Sequence, residues 1–159
     1  MIKNSKSLVF VSLAVAIVFI TTVVIKFPNG FDGYFNLGDA GIFVFASMLS
    51  PFPSFLVGGI GSALADIAGG YTQFAIFTLI IKGCEGLMVS YCLKRFHFAN
   101  WLAYAIGAGI MVVGYALTSY FLYQSIGVAL GESLMNGLQG IIGVVVAVIL
   151  VKRVSRLME

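Results

Sequence analysis

The chain has 159 residues, of which 60% are hydrophobic and only 9% charged; the formal net charge is +3 and the mean hydropathy +1.07. A soluble domain is apolar over roughly 45–50% of its residues, so this composition excludes one. The basic balance does not point to nucleic acid either, because seven of the nine cations gather in three clusters beside apolar runs.

Those clusters are Lys3 and Lys6, then Lys94 and Arg95, then Lys152, Arg153 and Arg156. Lys and Arg beside span ends are retained on the cytoplasmic side and set orientation. At about 20 residues per span, the chain holds six helices with short loops. The expectation is an all-α membrane protein, one domain over residues 1–159, with six transmembrane helices and both termini cytoplasmic.

The first span is expected from Ser7 to Ile25. Its apolar core is long for a signal peptide, and no convincing small-x-small cleavage site precedes Lys26. A loop rich in Gly, Asp, Asn and Pro follows, from Lys26 to Gly38. Span two, about Asp39 to Ser50, is too short to cross unassisted and stops at Pro51-Phe-Pro53, where proline removes a donor and restricts the preceding residue. Span three, about Ser54 to Ala68, is crowded with small residues and ends at Asp66 and the Gly69-Gly70-Tyr71 turn. Spans four to six are expected at Gln73–Leu93, Asn100–Tyr123 and Gly131–Val151. An even span count puts all three basic clusters on one face, with Asp32, Asp39 and Asp66 towards the other.

Polar groups inside the apolar runs mark where chemistry can lie, since an ionised side chain at a membrane helix centre costs about 3 kcal/mol on insertion scales. Glu132, Asn136 and Gln139 are spaced four and three apart, on one helical face, and Gly143 continues it. An interhelical hydrogen-bond seam and a ligand-binding stripe are both open for this set. Lys82 and Glu85 are three apart: they form either an internal ion pair or a ligand-facing carboxylate held by a lysine. Tyr115, Ser119 and Tyr123 share one side of span five. Tyr34-Phe-Asn36-Leu-Gly-Asp39 reads either as turn chemistry with Asp39 as a helix N-cap or as a loop over a pocket mouth.

Several chemistries are excluded. No Gly-x-x-x-x-Gly-Lys-Ser/Thr loop is present, and no nucleophile–base–orienter set or metal-ligand set can be assembled around the single histidine, His97. Neither a metal nor a cofactor is expected. Cys84 and Cys92, eight apart in one apolar helix, have neither zinc nor disulfide-framework spacing.

Asn36-Leu-Gly-Asp39, the proline-terminated short span, Gly58-Gly-Ile-Gly-Ser-Ala-Leu-Ala-Asp66, Gly69-Gly-Tyr71 and Lys82-Gly-Cys-Glu85-Gly86 together resemble the substrate-binding S component of an energy-coupling factor (ECF) vitamin transporter. The resemblance covers nearly the whole chain and is nearest the pyridoxine/pyridoxamine and hydroxymethylpyrimidine branch. It implies a subunit, not an enzyme, that binds one vitamin near the outer face of a bacterial cytoplasmic membrane. A transmembrane scaffold and two ATPase subunits then drive release inside. The family's small-x-x-x-small motif on span one, which touches the scaffold, corresponds to Ser12 and Ala16, with serine in place of the commoner alanine. The expected substrate-binding residues are Asn36, Asp39, Tyr71, Glu85, Tyr115, Glu132, Asn136 and Gln139. The alternatives are a self-sufficient secondary carrier, although no internal repeat is visible, or another vitamin such as riboflavin.

Overall fold

The computed structural model describes residues 5–28 and 34–157, with side chains to residue 153. The expected placements of Lys3 and Asp32, and of the Arg156 side chain, lie outside the described residues. Six helices follow one another: α1 (Ser5–Val24), α2 (Gly38–Met48), α3 (Pro51–Gly69), α4 (Ala75–Arg95), α5 (Asn100–Tyr123) and α6 (Ile126–Leu157). Between α1 and α2 the chain forms a small antiparallel hairpin of β1 (Lys26–Pro28) and β2 (Tyr34–Asn36), with Lys26 opposite Asn36 and Pro28 opposite Tyr34.

Among the described residues, five helices are long and apolar enough to cross a membrane; α2 is the short one. Eleven residues at 1.5 Å each reach only about 16 Å, half of a hydrocarbon core of about 30 Å. Leu8, Ile76, Leu117, Phe121, Leu134 and Ile141 are exposed on the outer faces; in a bilayer those faces meet lipid tails.

The prolines behave differently from a simple stop. Pro51 and Pro53 lie inside the first turn of α3, where a missing N–H is no loss. The break is confined to Leu49 and Ser50, and it turns α2 back into α3. Gly70, at φ +84°, closes α3 in the left-handed conformation that glycine adopts without strain.

Small residues set the interhelical distances. A Cβ at Gly58 would collide with the Lys82 carbonyl, and one at Gly86 would come within 2.6 Å of the Ser54 carbonyl. Thus α3 and α4 pack backbone to backbone, the contact that small residues allow in membranes. The short helix α2 is wedged among α1, α3, α4 and α6. Its Phe43 stacks on Tyr104 of α5, ring centroids 5.1 Å apart, and Ser47 shares a 2.6 Å hydrogen bond with the Tyr104 hydroxyl.

A candidate ligand-binding cavity

A polar cavity lies towards the end of the bundle opposite Lys94, Arg95, Lys152 and Arg153. It is built from the start of α6, the start of α4, the end of α5, the end of α3 and the hairpin. Helix α6 contributes Glu132, Asn136 and Gln139, all buried on one face, as their spacing predicts. Helix α4 contributes Thr78 and Lys82 at the i, i+4 spacing that aligns side chains. Tyr115 enters from α5, Ser62 and Asp66 from α3, Thr22 from α1, Tyr34 and Asn36 from β2, and Tyr71 and Phe74 from the α3–α4 turn. The cavity is partly open, and its free space is about 40 Å³, room for a few water molecules at roughly 10–15 Å³ each.

The floor is a charged cluster. Lys82 Nζ is bonded to Asp39 Oδ1, lies 3.0 Å from Glu85 Oε2 and 2.7 Å from Met111 Sδ. All three ionisable residues are nearly or fully inaccessible. The Lys82–Glu85 pair thus exists, but the lysine is shared with Asp39, 43 residues away. Glu85 does not line the cavity; it sits beneath Lys82, and neither of its oxygens has an aligned hydrogen bond. Removing one partner from such a buried set leaves an uncompensated charge.

Asp39 also departs from its expected role. The N-cap of α2 is Leu37, with no side-chain cap bond. Asp39 stands in the first helical turn and turns inward, because Lys82 and Gln139 offer its carboxylate stronger, charge-assisted partners than backbone amides do. Gln139 Nε2 donates to Asp39 Oδ2 at 2.7 Å, while Gln139 Oε1 accepts from the Asn36 backbone N–H at 2.8 Å and from Asn36 Nδ2 at 3.3 Å. Asn36 Oδ1 accepts the Gly38 N–H at 2.8 Å. Asn36 therefore makes the local turn and also ties the hairpin to α6.

On α6, Asn136 Nδ2 donates to Glu132 Oε2 at 3.2 Å. Across the cavity, the Tyr34 hydroxyl donates to Asp66 Oδ1 at 2.5 Å, and the Thr78 and Tyr115 hydroxyls pair at 2.9 Å. Tyr34 and Tyr71 face each other with ring centroids 4.8 Å apart. The Lys26 ammonium lies over both rings at 4.3 and 4.2 Å and donates to the Gly69 carbonyl at 3.1 Å. Partial burial holds the Lys26 pKa below its ordinary value, against the attraction of Asp66. Burial, reinforced by the neighbouring Asp66 carboxylate, pushes the Tyr34 phenol well above its ordinary value.

Of the residues expected to bind substrate, Asn36, Tyr71, Tyr115, Glu132, Asn136 and Gln139 reach the cavity wall directly. Asp39 reaches it only through Lys82 and Gln139. Tyr34, Asp66, Thr78 and Lys82 were not among those expected. Asp66 carried a signal, an acidic residue closing a small-residue helix; Tyr34 carried little beyond its place in the loop. Ser12 and Ala16 are exposed on the outer side of α1, beside a shallow apolar groove shared with Leu64, Ile67 and Ala68 of α3.

Comparison with known proteins agrees with this architecture. The model of the family described as ECF-type riboflavin transporter, S component, matches residues 3–156. An uncharacterised protein of Pyrococcus woesei is 35% identical over 149 residues, covering 88% of this chain and 98% of that one. The thiamine precursor transporter HmpT of Lactococcus lactis subsp. cremoris (strain MG1363) is 27% identical over 156 residues, covering 97% of this chain and 90% of its own. The apolar helical bundle with one polar cavity is thus a multi-pass membrane transport component and not an enzyme, and the chain belongs to the ECF-type transporter S-component family.

Proposed function

We propose that this chain is the single-domain substrate-binding subunit of an ECF-type importer in the cell membrane, and that it captures a small pyridoxine-, pyridoxamine- or hydroxymethylpyrimidine-like ring at the outer face. The observation that carries the reading is the cavity: aromatic walls with convergent amides, hydroxyls and carboxylates are how small-molecule sites fix a ring and its polar edge. Its position supports an outer opening, because the basic clusters lie at the opposite end; in this reading six helices, with α2 reaching only part of the way across, leave both termini inside. The name of the Lactococcus relative, a thiamine precursor transporter, supports the small ring. The substrate-contacting residues in this reading are Asn36, Tyr71, Tyr115, Glu132, Asn136 and Gln139, with Asp39 and Glu85 holding Lys82 in place beneath them.

The chain has no phosphate-cradling loop, so in this reading ATP is consumed by partners: a membrane scaffold carrying two ATPase subunits. Ser12 and Ala16, four apart and exposed on α1, allow another helix to approach closely. Native mass spectrometry of protein purified from rich medium tests the binding role, with a small heteroaromatic vitamin or precursor expected as the bound mass. Ser12→Trp or Ala16→Trp should reduce copurification of the scaffold and uptake while leaving binding to the purified chain unchanged. Concentrative uptake by the chain alone in proteoliposomes would instead make it a self-sufficient carrier.

A further inference from the structure

The cavity and its floor gather both acidic and basic groups away from solvent. Four buried carboxylates, Asp39, Glu85, Asp66 and Glu132, face two ammonium groups, Lys82 and Lys26. Lys82 is engaged with Asp39 and Glu85, and Lys26 is held over the Tyr34 and Tyr71 rings with its proton donated to the Gly69 carbonyl. Neither cation forms an ion pair with Asp66.

Asp66 is 3% exposed and lines the cavity. Tyr34 occupies its Oδ1, but Oδ2 has no hydrogen-bond partner among the described residues. The neighbouring Thr78 hydroxyl pairs with Tyr115 and, when it accepts there, keeps its own proton for Asp66; no charged donor is bonded to Oδ2 among the described residues. A buried carboxylate oxygen left unmatched carries a desolvation cost that a charged donor removes. The rings of Tyr34, Tyr71 and Tyr115 around it already hold the Lys26 and Lys82 ammonium groups, at 4.3, 4.2 and 5.7 Å, so this wall attracts cations.

We propose that Asp66 is the counter-ion of the ligand, and that the site takes a weakly basic nitrogen heteroaromatic ring in its protonated, cationic form. This rests on the reading of the chain as a vitamin-binding subunit and specifies what that subunit selects. A protonated ring nitrogen presents one charge-assisted N–H donor, which matches the open Oδ2 of Asp66. A protonated pyridine nitrogen satisfies Oδ2 in the same way.

The test uses ligand pairs on the purified wild-type chain, so it does not depend on a variant folding. Calorimetry compares 4-amino-5-hydroxymethyl-2-methylpyrimidine with its 4-oxo analogue, which has the same size but neither the amino group nor the basic nitrogen. Pyridoxamine, pyridoxine and riboflavin form further arms. The amino ring or pyridoxamine should bind, and the 4-oxo ring should bind roughly 10- to 100-fold more weakly than the amino ring, the range expected for one charge-assisted hydrogen bond. Asp66→Asn retains an acceptor for Tyr34 and should lose a similar factor for the cationic ligand while leaving the 4-oxo ring unchanged. Equal affinity for the amino and 4-oxo rings, or an unchanged affinity in folded Asp66→Asn, overturns the counter-ion role and leaves the vitamin-binding reading intact. Tight riboflavin binding without binding of the small rings overturns both this inference and the assignment to a small ring.

Discussion

Replacing Gln139 with leucine isolates the polar contribution of one residue, because the two side chains have similar volume and little cavity forms. Gln139 is 2% exposed and joins three elements: it accepts from Asn36 of β2 and donates to Asp39 of α2 from its own position on α6. The leucine variant orphans the Asn36 backbone N–H and one oxygen of the Asp39 carboxylate. An unsatisfied buried group costs about 1–3 kcal/mol, whereas hydrogen bonds between membrane helices average only about 0.6 kcal/mol. With one neutral donor and one charged acceptor affected, about 2–4 kcal/mol is the expected loss. At about 2–4 °C per kcal/mol for a chain of this size, the melting temperature should fall by roughly 5–15 °C. Thermal unfolding of the detergent-purified protein reads this directly, with Leu138→Ala on the exposed face of the same helix as control. Gln139→Glu should also destabilise at neutral pH, because it sets a second carboxylate against Asp39, and acidification should restore part of the loss. If Gln139→Leu melts with the wild type, Asn36 and Asp39 find other partners and the hairpin does not depend on α6.

The orientation can be read with single cysteines in a Cys84→Ser, Cys92→Ser background: an impermeant maleimide applied to intact cells should label position 70 and not position 95, and the reverse pattern would invert the topology. The raised pKa of Tyr34 gives an alkaline signature. Its folded-state value lies above the unfolded value of about 10, so its contribution to stability is complete below that pH and fades as pH rises through the folded value. In absorbance titration of the folded protein, Tyr34→Phe should leave the amplitude near pH 10 unchanged; a loss of one tyrosine equivalent there would mean that the phenol ionises normally.

Much of the architecture was legible because hydropathy and helical periodicity are local properties. The ends of α5, Asn100 and Tyr123, were expected where they are found, since a run of apolar residues bounded by polar ones needs no partner to declare itself. The common face of Glu132, Asn136 and Gln139 was equally legible, because spacings of four and three fix direction within one helix. The Lys26–Asn36 hairpin was not. Its two strands are three residues each, too short for an alternation pattern to register.

Partner choice was also out of reach. Spacing offered Glu85 to Lys82 and an N-cap position to Asp39, whereas packing brings Lys82 and Asp39 together across 43 residues of chain. Tyr34 meets Asp66 across 32, and Asn36 meets Gln139 across 103. A sequence shows which groups must escape lipid and which way each helix faces. Which of them meet is decided by where the Gly58–Lys82 and Gly86–Ser54 backbone contacts set α3 against α4, and by how the short α2 fits among its neighbours. The reason is physical: burial in an apolar medium obliges every charge to find a partner, but only the packed bundle supplies the distances that select one.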